Sequence, residues 1–375
     1  MRIAAIGDAH LGRSYYPYVD PETRVNQREH DFECSFESAV EAALAANVEL
    51  VVWLGDIFDH PRPSYRSYRI AQRAMRRIRD HGVMAVAISG NHDTPRLPGQ
   101  GSPYSAMADA FPEMFWAHRL SYERFELPGL VIHAVPQMMK TEQAIEALAE
   151  VDRQRSTDKT NLLITHPRLL QVPPKYADIN EIEIDQGALK ADLVLLGHYH
   201  TYQQVIAGMW YAGAPDTFTF GDEPDIAKGI VVLDTDTGEC VHVPIEAPRR
   251  LVTLETISAA GLGPAELQAR VLERVAKAPE GSVARLYIDL VEPEAYRLLD
   301  MAAVRDAGAH ALHLKLEPSM AATASRVELP QLDAMPAQWT RYMQGQHLEE
   351  GFDRERLQRL GEEYLARALE EAGPS

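Results

Sequence analysis

Two cysteines, Cys34 and Cys240, are all that the 375 residues contain. Neither a disulfide framework nor a thiolate zinc site can be built from them, and a reducing, cytoplasmic setting fits. Long apolar runs are missing too. No stretch approaches the ~18 consecutive apolar residues of a membrane helix, so no membrane association is expected. The opening run from Met1 to Asp8 is too short for a signal peptide and ends in polar chemistry rather than a cleavage site. Basic residues are scarce: 37 Lys and Arg stand against 55 Asp and Glu, a net charge of −18. Phosphate backbones repel such a surface over most of its area. That counts against a simple DNA-binding module and leaves a metal-dependent enzyme open. Internal repeats and low-complexity tracts are absent. With 46% hydrophobic residues, intrinsic disorder is excluded.

What is present is a rhythm. Short apolar runs recur at Ile3–Ile6, Leu50–Leu54, Met84–Ile88, Leu130–Val135, Leu162–Ile164, Leu193–Leu196, Trp210–Ala212 and Ile230–Leu233. They are rich in Val, Ile and Leu with little alternation, which suits strands buried on both faces. Helical patterns separate them: Phe32, Phe36, Val40, Ala43 and Leu44 share one face, and Ile70, Ala74, Met75 and Ile78 another. The fold expected is an α/β layered core. Near Pro248 the pattern changes to a smaller α/β unit. Helices are expected over Pro264–Ala278 and Pro293–Ala307, and strands over Val283–Leu290 and Ala311–Leu316. After Pro330 the chain turns polar and closes on an amphipathic helix, Asp353–Glu371, with Leu357, Leu360, Tyr364, Leu365 and Ala368 as its stripe. The domains expected are 1–247, 248–320 and 321–375.

Five strand ends deliver metal-ligating residues: Gly7-Asp8-Ala9-His10, Gly55-Asp56-Ile57-Phe58-Asp59, Gly90-Asn91-His92-Asp93, Thr165-His166-Pro167 and Gly197-His198-Tyr199-His200. In α/β sheets ligands bind beyond the carboxyl ends of the strands, where loops distant in sequence converge. Asp8 and His10 are two apart in an extended segment, so both can point into one site, and His198 and His200 repeat that spacing. The donors mix imidazole, carboxylate and amide without sulfur. Mn²⁺, Fe²⁺ or Zn²⁺ are favoured over Ca²⁺, and Mg²⁺ is less natural with so many imidazoles. Seven ligands exceed one ion. Two ions sharing a bridging carboxylate match the arrangement that activates water and clamps a phosphoryl group. Asp59 is open between capping the next helix and holding a ligand.

The order D-x-H, G-D-x-x-D, G-N-H-D, H, G-H-x-H resembles the calcineurin-like metallophosphoesterase superfamily. Gly55–Asp59 followed by Pro61-Arg62-Pro63-Ser64, with the segment from Arg28 to Leu54 leading into it, is similar to the SbcD-type DNA double-strand-break repair nucleases. The resemblance implies two central β-sheets flanked by helices, with a smaller DNA-capping domain after Pro248. It implies Asp8, His10, Asp56 and His200 on one metal and Asp56, Asn91, His166 and His198 on the other, with two Mn²⁺ expected and Mg²⁺ or another divalent cation as the alternative. His92 would serve the leaving 3′-oxygen, and Asp93 would orient its ring. DNA, a coiled-coil ABC-type ATPase of the SbcC kind held by the C-terminal segment, and a second copy in a homodimer are the implied partners. The activity implied is exonucleolytic at duplex ends and endonucleolytic on single strands. The alternative is a phosphoesterase acting on a small nucleotide or a phosphoprotein. Pro167-Arg168 departs from relatives that carry Gly or Gln after the histidine.

Seven arginines crowd residues 62–79 with no acid among them. Arg13, Arg62, Arg66 and Arg96 are the candidates for DNA contact. The alternative is a solvated helix face. The loop Arg13–Arg28 interleaves Tyr15, Tyr16 and Tyr18 with Arg13, Arg24 and Arg28, a pattern able to stack on frayed bases. The stripe of the second helix, with the segment Tyr104–Phe111, is either the implied homodimer contact or ordinary core packing.

Overall fold

The computed structural model describes residues 1–97, 101–173, 181–221, 226–321, 335–345 and 353–372. In chain order the first half holds β1 (Arg2–Ile6), α1 (Gln27–Ala45), β2 (Leu50–Leu54), α2 (Tyr65–Asp80), β3 (Met84–Ile88), α3 (Pro103–Ala110), β4 (Phe115–Ala117), β5 (Glu123–Leu127), β6 (Leu130–Val135), α4 (Thr141–Arg153) and β7 (Thr160–Thr165). There follow β8 (Arg168–Leu169), β9 (Glu183–Ile184), β10 (Leu193–Leu196), β11 (Gln203–Ile206), β12 (Met209–Tyr211), β13 (Gly229–Asp234) and β14 (Cys240–Pro244). One six-stranded sheet runs β14-β13-β1-β2-β3-β4 and the other β11-β12-β10-β7-β6-β5. The pairs β1–β2, β2–β3, β7–β10 and β6–β7 are parallel, so their carboxyl ends share an edge within each sheet.

Period-two alternation explains the layers. Ile3, Ala5, Leu50, Val52, Leu54, Val86 and Ile88 of the first sheet pack against Leu130, Ile132, Leu162, Ile164 and Leu195 of the second. The alternate residues Ala4, Ile6, Val51 and Trp53 join Phe36, Val40, Ile70, Met75 and Ile78 of α1 and α2. On the far side Leu163, Val194 and Leu196 meet Ala147, Leu148 and Val151 of α4. Each central strand is therefore buried on both faces, which is why its sequence does not alternate. The architecture is α/β with two central sheets flanked by helices. Asn26 caps α1 by accepting from the Arg28 and Glu29 amides, and Ser64 caps α2 by accepting from Ser67.

The apolar stripe of α2 lies in the same cluster as Tyr104, Met107 and Phe111. The face that suggested a homodimer contact is thus filled by the chain's own core. Helix α1 offers Glu33, Glu37 and Glu41, four residues apart, to Arg66, Arg73 and Arg77 of α2. Much of the arginine face is neutralised there.

Two compact units divide the chain. The first comprises Met1–Ile257, Gln268–Tyr287 and Asp300–Glu317; the second comprises Ser258–Leu267, Ile288–Leu299 and Pro318–Ser375. Beyond β14, β15 (Leu251–Ser258), β16 (Val283–Val291) and β17 (His313–Met320) form a three-stranded sheet in that order. Helix α5 spans Pro264–Val275, and the helix expected over Pro293–Ala307 is broken into α6 (Pro293–Arg297) and α7 (Met301–Ala307). Asp300 causes the break, accepting from the amides of Ala302 and Ala303 as the cap of α7. In the second unit α8 (Met335–Gly345) and α9 (Arg354–Ala372) lie side by side, with Trp339 Nε1 donating to the Gln358 carbonyl at 3.0 Å. Leu360 and Tyr364 of the α9 stripe are exposed. The side chain of Ala368, together with residues 322–334, 346–352 and 373–375 of the expected tail, lies outside the described residues. No helix among the described residues is long and apolar enough to cross a membrane.

Candidate metal centre

The ends of β1, β2, β3, β7 and β10 bring all seven expected ligands together. Asp8 and Asp56 are fixed by backbone donors: the His198 amide gives to Asp8 at 3.0 Å, and the His92 amide gives to Asp56 Oδ1 at 2.9 Å. Asp8, His10, Asp56 and His198 all adopt positive φ, at 49°, 47°, 49° and 89°. Such backbone is sparsely populated away from glycine and persists where surrounding structure holds it, commonly at functional sites. Two glycines make room. A Cβ on Gly90 would stand 2.2 Å from Asp56 Oδ1, and one on Gly197 would stand 2.1 Å from the Leu54 carbonyl and 2.5 Å from His166 Nδ1.

The donors fall into two groups. One atom each from Asp8, His10 and His200 lie within 4.8 Å of one another, as do one each from Asp8, Asp56 and His166. His10 Nε2 faces Asp56 Oδ2 at 3.6 Å. His166 Nε2 lies 3.2 Å from Asp56 Oδ2 and 3.0 Å from Asn91 Oδ1, and His198 Nδ1 lies 3.3 Å from that same amide oxygen. Asp8 belongs to both groups, and Asp56 Oδ2 lies between the His10 and His166 rings.

The electrostatics are those of a crowded, buried pocket. Burial pushes Asp8 and Asp93 up to about 7. Burial works the same way on Asp56, but His166 outweighs it and holds the carboxyl far below the usual range. Burial alone would lower His166, yet Asp56 carries it up to about 10. Burial keeps His10 below its ordinary value.

The residues fit divalent cations on two counts. The donor set is imidazole, carboxylate and amide. His10 Nε2 is also buried with no hydrogen-bond partner, an arrangement that costs free energy unless something electrophilic meets the lone pair.

His92 lies at the rim, its ring centroid 4.6 Å from that of His10. Its orientation differs from the expectation. Asp93 places Oδ1 on the Gly90 amide at 2.7 Å and Oδ2 on the Phe58 amide at 3.4 Å, so it ties two loops together. It is Asp59 that faces His92 Nδ1, with its carbonyl at 3.3 Å and its carboxylate at 3.7 Å. Asp59 Oδ1 also lies 3.0 Å from His10 Nδ1 and accepts from Arg13 Nη1 at 2.8 Å.

Of the arginines, Arg13 sits beside the centre, bound to Asp59 and to the Tyr15 hydroxyl. Arg66 is committed to Glu33. Arg62 and Arg96 are exposed and have no ion-pair partner among the described residues. Arg28 is fully buried, held by Asp31 at 2.9 Å, Asp216 at 3.4 Å and the Thr217 carbonyl at 2.7 Å. Its burial and these three partners make it a structural clamp. Tyr16 stacks on His313, centroids 4.3 Å apart.

Several residues escaped sequence reasoning. Phe218 packs edge-on against His10 and His200 at 4.9 and 4.2 Å. Lys228, buried, donates to the His200 carbonyl at 2.7 Å. Glu181 Oε1 lies 2.9 Å from His198 Nε2, and this contact holds the carboxyl below its usual range. None of the three belongs to a motif, and each touches one or more of the expected ligands.

The family model for calcineurin-like phosphoesterases matches residues 1–202. Curated relatives named DNA double-strand break repair protein Mre11 match the chain, three of them as follows. That of Saccharolobus solfataricus is 23% identical over 68% of this chain and 67% of its own length. That of Sulfurisphaera tokodaii is 27% identical over 57% and 54%. That of Haloferax volcanii is 28% identical over 63% and 50%. The chain thus spans from two thirds down to about half the length of these relatives. The family match covers more than half of the chain and every one of the seven converging ligands, and the chain belongs to the calcineurin-like phosphoesterase family.

Proposed function

We propose that the protein is a Mn²⁺-dependent DNA nuclease, exonucleolytic at duplex ends and endonucleolytic on single strands. The observation that carries this reading is Asp56 Oδ2 lying 3.6 Å from His10 Nε2 and 3.2 Å from His166 Nε2, between two donor groups that share Asp8, with the His92 ring at their edge. Asp8, His10, Asp56 and His200 would hold one cation, and Asp56, Asn91, His166 and His198 the other. When bound, the cations would supply Lewis acidity toward the phosphoryl oxygens and the attacking water. The chain's own residues do the rest. With Nδ1 of His92 against Asp59, Nε2 is the nitrogen that delivers a proton to the leaving oxygen. Arg13 keeps Asp59 in place. The names of the relatives given above support DNA as the substrate, as do the exposed Arg62 and Arg96, which follow the second and third metal motifs in sequence.

The same reading divides the chain into a nuclease domain over 1–247, a DNA-capping domain over 248–320 and a C-terminal segment over 321–375 that meets an SbcC-like coiled-coil ATPase in the cytoplasm. Exposed Leu360 and Tyr364 on α9 support a partner there. A homodimer belongs to this reading. Light scattering at micromolar concentration would return about twice 41.9 kDa, and the monomer mass would remove it.

The test uses purified chain, Mn²⁺ and end-labelled linear duplex, with EDTA and His92→Ala controls. Metal-dependent loss of label, abolished by the substitution, is expected. An intact label with continued hydrolysis of an aryl phosphodiester would replace DNA by a small nucleotide or phosphoprotein as substrate.

A further inference from the structure

Both halves of the centre have a carboxylate on the outer nitrogen of one ligand histidine, and each carboxylate is backed by an arginine. On one side the chain runs His10–Asp59–Arg13. On the other it runs His198–Glu181–Arg168, with 2.9 Å from His198 Nε2 to Glu181 Oε1 and 3.2 Å from Arg168 Nε to Glu181 Oε2. Asp59 comes from a recognisable motif. Glu181 and Arg168 do not. We propose that Glu181, anchored by Arg168, is a positioning residue that prepares His198 to bind the ion of the Asp56–Asn91–His166–His198 half.

The argument begins with the ring. A neutral imidazole carries one N–H and one lone pair, and a metal ligand must present the lone pair inward. In His198 the inward atom is Nδ1, 3.3 Å from Asn91 Oδ1. The carboxylate of Glu181 draws the proton to Nε2 and so leaves Nδ1 bare. The backbone of His198 is in the left-handed region at φ 89°, so the ring reaches inward from an uncommon conformation and gains from a second anchor.

The anchor is itself fixed. Arg168 is only 9% exposed. It lies in β8, which pairs in parallel with β9 in the register Arg168↔Glu183, and its amide donates to the Ile182 carbonyl at 2.9 Å. Its guanidinium also contacts Glu183. The two-stranded ladder thus holds Glu181 at its entry. Because Arg168 follows the ligand His166 by two residues, one short segment supplies both a ligand and the support of a second ligand. The Pro167-Arg168 pair that departs from the usual motif has this structural use.

The inference rests on the two-metal reading, and its test separates the two. Mn²⁺ binding to the full chain is measured by titration calorimetry with metal analysis after dialysis. Hydrolysis of an aryl phosphodiester is followed against Mn²⁺ concentration. The wild type should bind two ions. Glu181→Ala should leave the ion on Asp8, His10 and His200 unchanged, weaken the other about 10–100-fold, and recover turnover when Mn²⁺ is raised. Glu181→Gln, which keeps an acceptor of the same shape, should restore most of that affinity. Glu181→Asp, which keeps the charge but withdraws it by one methylene, should weaken binding in the same half and serves if the alanine variant does not fold. Unchanged affinities in Glu181→Ala and Glu181→Asp, with an ion lost in Asn91→Ala, would overturn the role of Glu181 while two ions stand. A wild type that binds fewer than two ions would overturn both.

Discussion

Asp59 Oδ1 lies 3.0 Å from Nδ1 of His10, and the same carboxylate stands 3.7 Å from Nδ1 of His92. One acid therefore serves a candidate ligand and the candidate proton donor. Asp59→Asn keeps the shape and removes the charge. We expect turnover to fall about 10²-fold or more, while Mn²⁺ binding at the His10 half, which needs only an acceptor on Nδ1, changes little. Adding Asp59→Asn to a His92→Ala background should cost much less than the same change alone, since the two residues act as a unit. Multiplying losses in the double variant would separate them.

Gly90 has no space for a side chain: its Cβ would meet Asp56 Oδ1 at 2.2 Å and the Asp56 amide at 2.7 Å. Gly90→Ala should displace the Asp56 carboxylate. Small misplacements in a reacting geometry cost about 10²-fold in rate, and activity should drop at least that far while circular dichroism stays native. Retained Mn²⁺ stoichiometry and rate would show that the loop yields.

Two arginines paired with acids differ in what they stabilise. Arg28 is fully buried among Asp31, Asp216 and Thr217. Burial raises Asp216, and Arg28 opposes that. Arg28→Met strands a buried carboxylate and should cost about 3–5 kcal/mol in urea unfolding. Arg73, 55% exposed in its pair with Glu37, should cost below about 1 kcal/mol as Arg73→Ala.

His133 gives a pH dependence remote from the metal centre. It is fully buried, between the Tyr122 hydroxyl at 2.8 Å and Asn161 Oδ1 at 3.1 Å. Burial lowers its protonation range in the folded state. The unfolded chain therefore binds the proton more readily, at an ordinary value of about 6.5. Its contribution is present above that pH and is lost as pH falls below it. Between pH 7.5 and 5.5 the unfolding midpoint should drop further for the wild type than for His133→Gln. Equal drops would exonerate the histidine.

Exposed Arg62 and Arg96 differ from Arg66, which is held by Glu33. Replacing Arg62 and Arg96 by Ala should reduce the slope of log affinity for duplex against log salt by about one each, while Arg66→Ala leaves it nearly unchanged. Anisotropy titrations at several salt concentrations decide this.

The apolar runs of β1, β2, β3, β6, β7, β10, β12 and β13 were legible because doubly buried strands must be apolar on both faces. The short edge strands β5, β11 and β14 were not: they are half-exposed and carry mixed residues such as Glu123-Arg124-Phe125. Among the metal candidates, Asp8, His10, Asp56, Asn91, His166, His198 and His200 could be named because ligand chemistry fixes residue type and each follows a strand end. Their mutual distances came only from the two sheets packing face to face. The partners of those ligands were out of reach for the same reason. Nothing local marks Glu181 as the neighbour of His198, or turns Arg66 from phosphate toward Glu33. Those contacts join segments 17 and 33 residues apart, and only tertiary packing sets which charges meet. Sequence alone determined which chemistry the chain carries; the fold decided which side chains hold that chemistry in place, because support is a matter of geometry that many residue types can supply.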